Sequence, residues 1–315
     1  MIKITLFFSI FWFFPIVYAY EPQNHTKLTK LAAYTFNLCS SKKITPKEIS
    51  LLQKYNAGED NFISKLPQRL KNWHFYASKK NINPTTKHPL GFTINRSMNR
   101  LVDQINQEIN KQTHFNAKIV GSALHFIEDT TVPAHVLPIY HGPLIIGMKS
   151  MTNHPQALLK NYKWSIKDKI DEWPIDEDKI LAIVDELTLE KDFCFKLLDN
   201  QAFALVNYFG QQQVKFEQFS KKPNLIDIIE ITAQTTLTSL TELIPGTKET
   251  WQWYWINQEN QFFSTYKTDA SGKIIVFGDK VNGQKIDKNQ LNDFVLRGHL
   301  QAILSGTQMI SLAKD

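Results

Sequence analysis

A chain of 315 residues that is 43% hydrophobic can bury one large core, and two cysteines are too few for a disulfide scaffold or a thiolate zinc site. The formal charge of +6 is spread along the sequence without a dense basic block. That suits mild attraction to an anionic surface and gives no reason to expect nucleic acid as a partner.

Lys3 precedes an apolar run from Leu6 to Val17, and Val17-Tyr18-Ala19 is a small-residue cleavage site. Residues 1–19 therefore read as a signal peptide and 20–315 as the mature, secreted or periplasmic domain. Pro15 and the lack of a charged stop-transfer flank argue against an anchor. No later stretch is long and apolar enough to span a bilayer. Cleavage after Ala19 removes one positive charge, Lys3, and makes Tyr20 the N-terminal residue. An α-amino group titrates at about pH 8, so a neighbouring metal can hold it deprotonated as a ligand. In an oxidising compartment Cys39 and Cys194 can pair, although sequence alone does not put them within bonding distance.

His25 lies at the mouth of a helix carrying Leu28, Leu31, Ala32 and Phe36. Thr45-Pro46-Lys47-Glu48 is a capping box with proline at the first helical position. The helix it opens ends at Asn56-Ala57-Gly58, with Glu59 and Asp60 in the following loop. Fourteen residues past Asp60 comes His74, between Trp73 and Phe75-Tyr76. Residues 77–94 are polar and read as a loop. Leu101, Val102, Ile105 and Ile109 then mark another helix, and His114 begins the connection to the next.

That next helix carries the most distinctive stretch, Gly121 to His135. Ile119, Val120, Ala123, Leu124 and Ile127 recur at helical spacing and face a core. His125 and Asp129, four apart, project together from another face. Pro133 should end the helix, and His135 should follow in a short extended segment that folds back toward that face. Imidazole, carboxylate and imidazole are ligands that zinc accepts.

From Asn153 to Leu243 the sequence reads helical, broken at Pro174 and Pro223. Three apolar stripes are evident: Leu181, Ile183, Val184 and Leu187; Ala202, Ala204, Leu205 and Tyr208; and Ile226, Ile228, Ile229, Leu237, Leu240 and Leu243. Residues 250–287 change character. Trp251, Trp253 and Trp255 alternate, Asn282-Gly283 is a turn signal, and the region reads as a small β-hairpin packed on a helical protein. A last helix from about Asn289 carries Phe294, Leu296, Leu300, Ile303, Leu304 and Met309, with His299 as a structural residue.

The order of an N-terminus with a nearby His25, Asp60, a His74-Phe75-Tyr76 unit and His125-x-x-x-Asp129 followed after five residues by His135 resembles the zinc-dependent phospholipase C family of secreted bacterial enzymes. That family shares its fold and its trinuclear zinc site with fungal zinc-dependent single-strand nucleases. The resemblance covers roughly residues 20–141 by motif. Leu124 to Asp129 with Pro133-Ala134-His135 is its most specific part. It implies an all-α, multi-helix bundle around a multinuclear zinc cluster, with the β-hairpin as an insertion near the C-terminus.

Carried over by residue, the resemblance implies that the Tyr20 amino group and carbonyl, with His25, help hold one zinc. Asp60, His74, His125 and Asp129 would hold or bridge the others, and His135 would complete a site. The family also has a later histidine followed four residues on by Glu or Asp. His141 is the better match for that histidine, but Ile145 stands where the carboxylate is expected, and His154 is followed by Leu158. Two or three zinc ions are thus implied. The implied reaction is hydrolysis of glycerophospholipids to diacylglycerol and a phosphorylated headgroup, with transient contact at a membrane surface and Asp60 as the catalytic residue that orients or deprotonates water. The nuclease branch resembles a Gly-Gly-Asn type of segment after its cluster histidine, whereas Val136 to Tyr140 stands here. The alternatives are a single-strand nuclease on the same scaffold and a non-catalytic, zinc-binding secreted protein.

Overall fold

The computed structural model describes residues 22–61, 75–79, 97–137, 173–199, 201–206, 214–256, 265–273 and 275–314. The expected signal peptide, Tyr20, His74 and His141 lie outside these residues. The described part is mainly α-helical, with three small two-stranded antiparallel sheets.

The helices close to the N-terminus form where the sequence places them. α1 runs Pro22–Cys39 and α2 Pro46–Gly58, the latter opened by the Thr45/Glu48 capping box with proline in its first turn. α3 is Ser97–Asn110. α4, Ala117–Asp129, is capped by the Asn116 side chain on the Lys118 amide, so His114 sits in the preceding loop and not in the helix. From Val120 onward α4 is almost entirely buried, because α1, α2 and the C-terminal helix cover its remaining faces.

Pro133 does not terminate α4. That helix already stops at Thr130, whose hydroxyl bonds the Ile127 carbonyl. Pro133 instead opens a single-turn helix, α5, Pro133–Val136, where its missing N–H costs nothing. His135 is therefore helical rather than extended.

α6 is Glu177–Leu189 and α7 Phe193–Leu198. The next segment departs from the helical reading. Ala202–Val206 is a strand, β1, paired with β2, Val214–Gln218, in the register Ala202↔Gln218 to Val206↔Val214. A five-residue apolar run such as Ala-Phe-Ala-Leu-Val fits either structure by pattern.

Tertiary contacts decide it. α9, Lys288–Lys314, lies along the outer edge of β1 and supplies two glutamines seven apart. Gln301 accepts from the Val206 amide at 2.9 Å and donates to the Ala204 carbonyl at 3.0 Å. Gln308 accepts from the Ala204 amide at 3.2 Å and donates to the Ala202 carbonyl at 2.7 Å. Two side-chain amides thus serve as the neighbouring strand and close an edge that would otherwise carry unmade backbone bonds.

α8 is Leu225–Leu240, opened by an Asn224/Asp227 capping box. The aromatic region is less regular than a single hairpin. Trp251–Tyr254 forms a 3₁₀ turn, β3 (Trp255–Ile256) pairs with β4 (Thr265–Tyr266), and β5 (Lys280–Val281) pairs with β6 (Gln284–Lys285). The last pair turns on Asn282-Gly283, both at positive φ, as the dipeptide predicts. Phe277 is the hub: Trp251, Tyr254, Trp255 and Phe294 pack on it with ring centroids 4.9–5.6 Å away. The tryptophans at 251 and 255 are core residues, which accords with a hairpin packed on the bundle.

The core has two parts. One joins α6, α7 and the aromatic region to the first half of α9. The other joins α1–α4 and α8 to its last turns. α9 runs through both and is buried continuously from His299 to Ser311. Cys39 at the end of α1 and Cys194 on α7 are disulfide-bonded, with Cα atoms 4.9 Å apart across 155 residues of sequence. No helix of the described residues is long and apolar enough to cross a membrane.

Closing so long a loop removes much conformational freedom from the unfolded chain. The Cys39→Ser/Cys194→Ser double variant should therefore lose about 2–5 kcal/mol of unfolding free energy, read as a lower urea midpoint. An unchanged midpoint would contradict the bond.

His299 gives a pH signature. Burial pushes its imidazole down from 6.5 to about 4. As pH falls below 6.5 the unfolded chain binds this proton while the folded chain does not, so the fold loses stability down to about pH 4 and then levels off. His299→Gln should flatten the wild-type decline in that window by up to about 1.4 kcal/mol per pH unit. Parallel pH profiles for the two proteins would count against a buried neutral His299.

Candidate metal centre

Three helices meet at one point. α1 brings His25 on its first turn and Thr29 one turn later. α2 brings Asn56 in its last turn and leads through Glu59 to Asp60. α4 brings His125, Glu128 and Asp129. All seven side chains are buried, none more than 1% exposed.

The helices can come this close because of Gly121. A Cβ there would lie 2.8 Å from the Leu52 carbonyl oxygen and 2.9 Å from the Tyr55 Cβ. The absence of a side chain lets α4 lie on the backbone of α2 and puts Asn56 within reach of His125.

His25 Nε2 lies 3.4 Å from Asp60 Oδ2 and 3.6 Å from Asp129 Oδ1, and His125 Nε2 lies 3.4 Å from Asp129 Oδ2. The two imidazole rings are in contact at a tilt of 33°, with centroids 4.3 Å apart. Ligand atoms of His25, Asp60 and His125 all fall within 4.8 Å of one another. These separations exceed a normal N–H···O bond. Ligand atoms about 2.05 Å from a central zinc sit about 3.3 Å apart, and the His25–Asp60 separation is of that size. Two imidazoles with two carboxylates are also a donor set that zinc takes.

Electrostatics agree with the geometry. Asp60, Glu128 and Asp129 are carboxylates taken wholly out of water within one cluster. Burial drives the Glu128 carboxyl well above the usual carboxylate range. Hydrogen bonds from Asn56 and Thr29 oppose that shift, and the neighbouring Asp129 and Asp60 charges add to it. Burying carboxylates costs several kcal/mol each unless positive charge is brought to them, and a cation held by His25, Asp60 and His125 would supply it.

Of the residues singled out in the sequence, the structure brings His25, Asp60, His125 and Asp129 together. His135 is fully buried on α5. Its carbonyl accepts from the Tyr76 amide at 2.7 Å. The short segment 75–79 is in turn tied to α8. Tyr76 and Ser78 hydroxyls donate to the buried Glu230 at 2.9 and 2.7 Å, and the Lys79 amide does so at 3.0 Å. Asn99 brackets the Ala77 amide and carbonyl, both at 3.0 Å. The turn that carries His135 is thus fixed against the chain just after residue 74.

Sequence reasoning missed Glu128, Thr29 and Asn56. The available signal was polarity on a buried stripe. Thr29 sits among Leu28, Leu31 and Ala32, and Asn56 follows Leu52 by one turn. Glu128 gives no such signal, because its partner is 103 residues away.

The fold and site define a mainly α-helical protein with a buried imidazole–carboxylate cluster suited to a metal ion. Comparison of the chain with protein-family models, with curated proteins and with solved structures gives no match.

Gly121→Ala should force α2 and α4 apart. We expect a loss of about 1–3 kcal/mol in unfolding free energy together with weaker binding of an added divalent metal ion, measured by thermal unfolding and titration calorimetry. Wild-type values on both would show that the close helix contact does not position the site.

Proposed function

We propose that this protein is a secreted or periplasmic zinc-dependent phospholipase C that hydrolyses glycerophospholipids to diacylglycerol and a phosphorylated headgroup. The observation that carries the reading is the fully buried His25–Asp60–His125 group, whose ligand atoms lie within 4.8 Å of one another, with Asp129 against both imidazoles. The resemblance of its motif order to the zinc-dependent phospholipases C supplies the reaction. The long-range disulfide favours an oxidising compartment.

His25, Asp60, His125 and Asp129 would hold zinc, with Tyr20, His74, His135 and His141 as the further ligands that the resemblance implies, for two or three ions in all. Bound zinc supplies Lewis acidity, activating water at neutral pH and neutralising charge on a phosphodiester. The residues of the chain do the rest. Asp129 spans both imidazoles, one carboxylate oxygen toward each, and sets their separation. Asp60, on the short turn after α2 and with no helix of its own, orients the attacking water and accepts its proton.

The test is release of phosphocholine from phosphatidylcholine vesicles beside cleavage of single-stranded DNA, each as isolated, after chelation and after zinc is restored. Chelator-sensitive phosphocholine release without DNA cleavage is expected. DNA cleavage alone would assign the protein to the nucleases, and bound zinc with neither activity would make it a binding protein. Within the same assay Asp60→Asn should lower kcat by at least about a hundredfold with a much smaller change in KM. Near-normal turnover would remove Asp60 from the catalytic role.

A further inference from the structure

Asp129 is the last residue of α4, and a helix end constrains its side chains least. The carbonyls of that turn are nevertheless met. Phe126 accepts from the Thr130 amide at 3.2 Å and Ile127 from the Thr130 hydroxyl at 2.8 Å. Glu128 accepts from the Thr131 amide at 3.0 Å and hydroxyl at 2.7 Å, and Asp129 from the Val132 amide at 3.0 Å. The chain then bends through Pro133 into α5, and every residue of this elbow, 130–136, is buried.

The elbow is gripped at both ends by bonds that lead to α8, a helix that supplies no residue to the cluster. At its start the Thr236 hydroxyl donates to the Thr130 carbonyl at 2.7 Å. The Thr232 carbonyl, at 3.2 Å, is the longer contact open to that proton. It lies one helical turn back, where it accepts from the Thr236 amide. At the end of the elbow the Tyr76 amide donates to the His135 carbonyl at 2.7 Å. Tyr76 is held in turn by Glu230, whose Oε2 accepts from its hydroxyl at 2.9 Å. Glu230 Oε1 accepts from the Ser78 hydroxyl at 2.7 Å and the Gln234 amide at 2.6 Å. A buried carboxylate on a mostly apolar helix is costly unless such donors meet it.

We propose that Thr236 and Glu230 of α8 are positioning residues for the metal centre, clamping the elbow from Thr130 to His135 and so holding Asp129 against His25 and His125; the proposal rests on the metal-centre reading given above. Asp129 Oδ1 and Oδ2 lie 3.6 and 3.4 Å from the two Nε2 atoms. A carboxylate that meets two rings at once tolerates little movement of the backbone that bears it. His125 stands one turn inside α4, whereas Asp129 depends on what holds the helix end. Thr236 acts on the carbonyl of the next residue, and Glu230 acts through Tyr76 on the far side of the elbow. Support from beyond the ligands commonly changes metal affinity by about ten- to a hundredfold.

The experiment titrates Co²⁺ into the metal-free protein and follows its visible bands, which report coordination geometry. On the same samples, hydrogen exchange of the residue-76 amide reads the clamp without a metal. Thr236→Val removes the hydroxyl and keeps the shape, and Tyr76→Phe removes only the bond to Glu230. Each should weaken Co²⁺ binding by about tenfold and shift the bands. Tyr76→Phe should also speed exchange of the residue-76 amide. Thr236→Ser, which keeps the hydroxyl, should bind as the wild type does. Glu230→Leu should lose at least as much as Tyr76→Phe, which covers a Glu230→Leu protein that does not fold.

Wild-type affinity and bands in either Thr236→Val or Tyr76→Phe would overturn the two-ended clamp. So would weaker binding with unshifted bands, the mark of lost stability alone, or a Thr236→Ser protein as weak as Thr236→Val. A wild type that takes up no Co²⁺ while its residue-76 amide is protected would instead overturn the metal-centre reading and leave the anchoring of the elbow to α8 standing.

Discussion

The dominant constraint on this molecule is the burial of three carboxylates, Asp60, Glu128 and Asp129, at a single crossing of three helices. A buried charge destabilises by several kcal/mol when it has no partner. The helices therefore cannot pack at that point on apolar contact alone. Every polar atom brought in has to meet a donor from another helix, which fixes how α1, α2 and α4 rotate about their axes. Gly121 allows the approach, and the hydrogen bonds through Thr29 and Asn56 set its register. The apolar residues that flank the cluster, such as Leu28, Leu52 and Leu124, then have one arrangement in which to pack.

Stability has to come from elsewhere, and the structure shows where. α9 is buried on all sides for more than three turns and links the two halves of the core. The disulfide ties the far end of α1 to α7. The aromatic region packs on Phe277. α9 also packs directly on α4, the helix that carries three residues of the cluster. A site that would itself loosen the fold is thereby held by contacts made outside it. Functional sites commonly sit at such unfavourable points of an otherwise favourable structure.

Much of this was legible in the sequence where the signal is local. The capping box at Thr45, the helix carrying His125 and Asp129, the Asn282-Gly283 turn and the final helix all depend on neighbours within a few residues. The four residues that meet in the cluster were also singled out in the sequence, because helical spacing puts His125 and Asp129 together and the motif order supplied His25 and Asp60. What failed was non-local. Ala202–Val206 is a strand only because β2 holds one edge and two glutamines of α9 hold the other. His135 is helical because Thr130 ends α4 early enough for Pro133 to begin a new turn. A proline marks a boundary in the chain, but which side of it is helical depends on the cap that precedes it.

The residues that sequence reasoning missed share one property, and it connects the fold to the site. Asn56 meets His125 across 69 residues, Gln301 meets Val206 across 95, Glu128 meets His25 across 103 and Gln308 meets Ala204 across 104. In each case a buried polar side chain from a helix completes a group that its own neighbourhood leaves unfinished. Such bonds add little to net stability. Their loss leaves a desolvated donor or acceptor behind, and so they discriminate strongly against alternative packings. The β1 edge and the histidine pair are therefore two instances of one device: a distant amide or carboxylate decides the conformation of a segment that propensity leaves undecided. At β1 the device fixes a backbone, and at His25 and His125 it gives each ring a partner from another helix.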